Sequence, residues 1–431
     1  MIIGALLSIL LILVIILISR HIYSTYKLNK SDSEDVFDGI PLNQSLTNEM
    51  SDIPESKNMD RIITRFMWRW NIVGASLAVV KDSKLVYAKG YGWADKEAEE
   101  LMTPANVFRV ASLSKLITAT AIMNLCEDGY LSLEDKVFGP GAILNEPKFQ
   151  KITDSRMKRI TVEMLLRHTA GYSRSKGDPM FRTRDIMSWA GMKEVPDMDE
   201  MIAYSLTQKL GSNPGSVYRY SNLGYLVLTK IIEVSSGMSY EKYCQKKILH
   251  PAGCWDMHLA KNFFEEKYPN EVRYYESEDA ELVNSFDLNK DGLFTRTYGG
   301  SNVEGLIGAG AWVASPAEYV KFVCSIDGDG IISDILSEES VREMTETSKE
   351  SPHPLGWINS TKGTWTRTGT LAGVSAIVRR LPDGTIWMFI TNTSSWKGAR
   401  FTKYIGKMMS DAFTKVTWPT DRDLFSTNNQ E

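Results

Sequence analysis

The chain carries strand-forming runs near both ends and a long helical stretch between them. This order limits the folds open to it more than any other feature. Val73–Val80 and Leu85–Tyr91 are rich in β-branched and apolar residues and flank Lys81-Asp82-Ser83-Lys84, which predicts a hairpin. Near the other end, Ser375–Leu381 and Ile386–Thr391 flank Pro382-Asp383-Gly384, a second hairpin with suitable turn residues. Met59–Trp70 and about Phe401–Phe413 have helical spacing. From Ser112 to about Leu249 the pattern is mainly helical, as at Leu113–Leu125, Thr161–Leu166 and Tyr225–Val234. The economical arrangement is one α/β (α+β) body. Its antiparallel sheet is built from N- and C-terminal segments and flanked by helices, with an all-helical subdomain inserted over roughly 112–290.

Ile2–Ser19 contains no charged residue, and Ser8 and Ser19 are its polar side chains. As a helix it spans about 27 Å, close to the hydrocarbon thickness of a bilayer. No Lys or Arg precedes it and no small-residue cleavage site follows, so residues 2–19 are expected to be an uncleaved transmembrane anchor. Residues 20–57 are polar and contain Pro41 and Pro54, which predicts a tether. The domain is then expected over 58–415 and a polar tail over 416–431. A net charge of −4 over 431 residues excludes a protein that wraps nucleic acid by charge. Cys126, Cys244, Cys254 and Cys324 are too scattered for a disulfide framework or a zinc site. The histidines lack metal-ligand spacing, and Asp287–Gly292 imitates a calcium loop whose twelfth position is Tyr298 rather than Glu. No metal or cofactor is expected.

Three stretches carry chemistry. In Phe108–Lys115, Ser112 and Lys115 stand three apart at the mouth of an apolar helix, so the amine lies on the same face as the hydroxyl. A serine needs a neighbouring base to become a nucleophile, and a lysine serves only where burial or positive potential lowers its pKa. The S-x-x-K spacing also occurs at Ser24, Ser155, Ser173, Ser239 and Ser394, so position rather than spacing singles out Ser112. In Val217–Tyr225, Tyr220 and Asn222 stand two apart before another apolar helix. There a phenol beside a cation can move protons, and an amide can meet a substrate. In Trp365–Thr370, Arg367 is available for a substrate carboxylate or for keeping Lys115 short of protons. Gly369 lets a backbone come close, so that the next N–H can face an oxyanion.

In this order and spacing the three stretches resemble the serine β-lactamase and penicillin-binding-protein superfamily. The most similar branch is that of class C β-lactamases, D-Ala-D-Ala carboxypeptidases and related esterases. The resemblance covers about Met59–Phe413 and extends to Gly90–Asp95, Leu165–Gly171 and Gly308–Ser315. It implies a β-lactamase/transpeptidase-like fold with Ser112 as acylated nucleophile and Lys115 as its proton partner. Tyr220 would be base and then acid, and Asn222 would orient substrate. The Ser112 and Thr370 N–H groups would form the oxyanion hole, with Arg367, Thr368, Gly369 and Thr370 lining the substrate, and His168 would be structural. The chain departs from the pattern at Arg367, where the family usually has Lys or His. Arginine keeps the charge but cannot share a proton near neutrality, which weighs against β-lactam hydrolysis more than against acyl-enzyme formation.

The expected function is that of a membrane-anchored serine hydrolase acting on a D-amino-acid peptide, a β-lactam, or a small ester or amide. The alternative is a catalytically weak receptor or scaffold that binds such ligands. The expected partners are the small-molecule or peptide substrate and a membrane, not nucleic acid. Arg20, Lys27 and Lys30 follow the apolar run and would by themselves hold the rest of the chain inside. The family's substrates lie outside, so the expectation is a single-pass protein of the cytoplasmic membrane with an extracytoplasmic domain.

Overall fold

The computed structural model describes residues 40–429, apart from 176, 348–351, 415 and 420. In chain order the elements are α1 (Lys57–Arg69), β1 (Gly74–Lys81), β2 (Lys84–Asp95), β3 (Glu100–Leu101), β4 (Phe108–Arg109) and α2 (Ser114–Glu127). The insertion follows with α3 (Val162–Leu166), α4 (Thr183–Ala190), α5 (Met198–Leu206), α6 (Asn222–Ser236) and α7 (Tyr240–Cys244). It also carries the two-residue strands β5 (His258–Leu259), β6 (Val283–Asn284) and β7 (Leu293–Phe294), so it is helical without being all-helical. After β8 (Trp312–Ala314), α8 (Pro316–Cys324) and α9 (Glu338–Thr345) come β9 (Asn359–Thr361), β10 (Thr364–Leu371), β11 (Val374–Arg380), β12 (Ile386–Thr391) and α10 (Phe401–Phe413).

The central sheet is antiparallel, with strand order β3-β2-β1-β12-β11-β10-β9, so the N-terminal hairpin pairs with the C-terminal one through β1 and β12. Its register follows from two-residue alternation. Leu77 stands opposite Phe389 and Val79 opposite Trp387, and these four side chains lie on one face with Ile377. Met59, Ile63 and Met67 of α1 and Ile405, Met408 and Met409 of α10 close over that face. Ala78, Val80, Met388 and Val378 lie on the other face, toward α2 and the insertion. The first hairpin turns through Asp82 and Ser83, both with positive φ (49° and 57°), the geometry whose twist matches paired strands.

Of the segment expected as tether, residues 40–57 belong to the folded unit that starts at Ile40, and 20–39 lie outside the described residues. The described residues of the expected tail belong to the same unit. Leu42, Asn43, Leu46 and Ser51 are buried, and the Asn43 amide donates to Asp256 Oδ2 at 2.9 Å. At the other end Asp423 Oδ1 accepts the Leu85 N–H, and Trp418 packs on Tyr87. A few apolar anchors in polar sequence are enough to dock a segment when its backbone and amide groups find partners. The apolar run 2–19 lies outside the described residues, among which no helix is long and apolar enough to cross a membrane.

Candidate active site

Ser112 sits in a short turn between β4 and α2. The chain reverses there through Ala111, a buried non-glycine residue held at φ 53°. Left-handed backbone at such a residue is costly and persists only where its surroundings fix it. Here the Ser114 hydroxyl bonds Ala111 O at 2.7 Å and receives the Trp312 N–H, and the Tyr319 hydroxyl bonds Leu113 O at 2.9 Å. Helix α2 is buried on nearly every side, so Lys115 points into the interior with no exposed surface.

The Lys115 ammonium faces three oxygens: Ser112 Oγ at 3.3 Å, Asn222 Oδ1 at 2.7 Å, and the Ala309 carbonyl. Tyr220 Oη donates to Ser112 Oγ at 2.7 Å. Arg367, only 1% exposed, donates from Nε to Ser112 O at 2.8 Å and from Nη2 to Tyr220 Oη at 3.1 Å. Serine, lysine, phenol and guanidinium therefore meet in one cluster, in which Lys115 and Arg367 are buried and Ser112 and Tyr220 are half-buried. Burial drives the Lys115 pKa below its ordinary value, and Arg367 adds to this against the opposing pull of Tyr220. Burial would raise Tyr220, but the charges of Lys115 and Arg367 outweigh it and bring the phenol below its usual range. A phenol held low beside a serine hydroxyl is suited to accept that proton.

Asn222 opens α6, where Ser221 caps the helix by accepting the Gly224 N–H at 3.0 Å. Its carbonyl takes Lys115 and its amide donates to Asp178 Oδ2 at 2.9 Å, so both ends are engaged within the protein. Asp178 had no signal in the sequence beyond preceding Pro179, and the Ala309 carbonyl had none, because a backbone acceptor carries no residue signature. His168 is buried with φ 58°. Its Nδ1 accepts the Ser221 N–H at 3.2 Å and its ring lies 4.5 Å from that of Tyr220. Burial, then Arg367 and Lys115, hold its pKa well below the usual histidine range, so it stays neutral and braces the tyrosine.

On β10, Arg367 pairs with Val378 and shares its face, which aims the guanidinium at the serine turn. The sequence offers Arg367 as a bidentate grip for a substrate carboxylate, but here Nε and Nη2 are committed to Ser112 and Tyr220. Strand β9 covers only Thr364–Thr366 of β10. The Ile358 N–H reaches Thr366 O, so the backbone groups of Thr366, Thr368 and Thr370 point to that edge by strand alternation. Beyond Thr366 the strand lies against the turn that carries Ser112. A Cβ on Gly369 would stand 2.6 Å from Val110 O and 3.0 Å from the Ala111 Cβ, so only glycine allows the strand to lie this close.

A two-ended antiparallel sheet and an inserted helical region thus bring a Ser–Lys–Tyr cluster together at their junction. The family model Beta-lactamase matches residues 59–405, and the chain belongs to that family. Protein flp of Staphylococcus aureus (strain N315) is 27% identical over 211 residues, covering 49% of this chain and 38% of that protein. The chain thus spans well under two thirds of that relative. The octameric penicillin-binding protein homologue from Pyrococcus abyssi superposes with a TM-score of 0.59 at 25% identity, over 83% of this chain and 78% of that one. The D-amino acid amidase from Ochrobactrum anthropi SV3 gives 0.61 at 21% identity, over 82% and 96%.

Proposed function

We propose that this chain is a serine hydrolase that forms an acyl-enzyme on Ser112. The observation that carries the proposal is Tyr220 Oη at 2.7 Å from Ser112 Oγ, with Lys115 and Arg367 both bearing on it. In this reading Tyr220, held low by its two cations, takes the Ser112 proton as Oγ attacks the substrate carbonyl. The N–H groups of Ser112 and Thr370 receive the developing oxyanion. Tyr220 then returns the proton to the leaving group, and a water molecule repeats the sequence to release the acid. Lys115 acts through its charge, and Asn222, tied to Asp178, holds that charge in place. Thr368, Gly369 and Thr370 form the wall along which the acyl group lies.

The proposed substrate class is an amide or ester of a small acyl group, D-aminoacyl compounds included. A penicillin-binding protein homologue and a D-amino acid amidase share the fold, which supports this choice. The internal use of Arg367 favours substrates that do not depend on a free carboxylate, and β-lactams stand as acylating ligands rather than good substrates. The anchor over 2–19 and the extracytoplasmic body belong to the same proposal on sequence grounds. Protease access in intact and permeabilised cells checks them.

Labelling with a fluorescent penicillin and a fluorophosphonate tests the chemistry. At least one should attach to Ser112 and vanish in Ser112→Ala, whereas absence of label from both overturns the proposal. Label without turnover on any amide or ester would favour the receptor reading.

A further inference from the structure

The outer face of the α1/α10 layer is basic. In α1 the residues spaced four apart at Met59, Ile63 and Met67 are buried. Those spaced four apart at Lys57, Arg61, Arg65 and Arg69 are all exposed on the opposite side. Arg400, Lys403 and Lys407 are likewise exposed at and along α10. Trp70 ties the two helices side by side, its ring 5.0 Å from Phe401 and 5.1 Å from Tyr404. The exposed acid on these helices is Asp411 alone. Asp60 turns inward and accepts from Tyr87 and Tyr91. Among the described residues none of the seven cations is paired with a carboxylate. Such a face is uneven for a chain whose net charge is −4.

Two tryptophans stand in this field. Trp68, on the outer side of α1, is 81% exposed, and Trp396, before α10, is 66% exposed. Lys397 lies 3.6 Å over the Trp396 ring and 6.0 Å from that of Tyr404, which places Trp396 beside α10. Unpaired cations interleaved with exposed indoles match the headgroup layer of an anionic bilayer. There lysine and arginine meet phosphate and the amphipathic ring settles at the boundary. The same chain carries the uncharged run Ile2–Ser19, which fits work at a membrane.

We infer that the α1/α10 face docks the folded body onto an anionic lipid surface. Ser112, Lys115 and Arg367 lie across the sheet from it, so docking leaves the reactive cluster free of lipid. The inference stands apart from the choice of acyl substrate.

The test uses the full-length protein reconstituted into vesicles of phosphatidylcholine alone or with phosphatidylglycerol. A membrane-permeant acylating reagent reads lysine reactivity by mass spectrometry. Lys57, Lys403 and Lys407 should react several-fold more slowly in the anionic vesicles, and exposed Lys151 should not change. High salt, or the triple variant Arg61→Glu, Arg65→Glu, Trp68→Ser, should remove that protection while Ser112 labelling is retained. Equal reactivity in both vesicle types overturns the inference. So does protection given by soluble polyphosphate or single-stranded DNA but not by anionic vesicles, which would make the face a polyanion site.

Discussion

The two faces of the central sheet use the same kind of charge in opposite ways. Toward the insertion, Lys115 and Arg367 are buried and each is aimed at named oxygens. Beneath α1 and α10 the face is apolar and aromatic, with Phe389, Trp387 and Phe401 in its core, and the helix cations are all turned outward. Water screens the second set, so those charges barely alter their neighbours. The first set is shielded from water, so each charge moves the pKa of what it touches. The proposed reactivity therefore resides where charge is desolvated, and adhesion of the α1/α10 layer to the sheet rests on area and fit.

The largest effect that would break this contrast is at Ser112, the proposed nucleophile. Ser112→Ala should lose all covalent labelling while retaining its thermal unfolding midpoint. Tyr220→Phe should lower kcat/KM by roughly 10²–10⁴, the usual worth of a general base, with the circular dichroism spectrum unchanged. Arg367→Gln sharpens the electrostatic half of the comparison. Arg367 lowers both Tyr220 and Lys115. Its loss should raise both, so the limb of the pH–kcat/KM profile that rises with Tyr220 deprotonation should move to higher pH. An unmoved limb would show that the guanidinium does not tune the phenol.

On the other face, Ile63→Ala should cost about 2–5 kcal/mol by denaturant unfolding, a core cavity's usual toll, with kcat unchanged. A change in the pH profile of that variant would break the separation of the two faces. The smallest effect belongs to the solvated cations. Arg61→Gln should shift stability by no more than about 0.5 kcal/mol and leave the kinetics alone.

The site was partly legible in the sequence because its pieces are local. Ser112 and Lys115 are placed by helix spacing, Tyr220 and Asn222 by a helix entry, and Gly369 by the need for close approach. The partnerships were less legible. Asn222 reads as a substrate contact and is found engaged with Lys115 and Asp178. Arg367 reads as a carboxylate grip and is found engaged with Ser112 and Tyr220. Residues 40–57 read as tether because Leu42 and Leu46 are few among polar neighbours, yet docking needs only those anchors and satisfied backbone groups.

By itself the sequence determined the order of strands and helices, the hairpin turns and the Ser112–Lys115 spacing. These follow from propensities and periodicities that act over a few residues. That Ser112 meets a tyrosine and an arginine was decided by tertiary structure. Tyr220 reaches Ser112 from 108 residues away and Arg367 from 255. A pKa is set by neighbours in space and by the loss of water around them, and neither is written in any short stretch of chain.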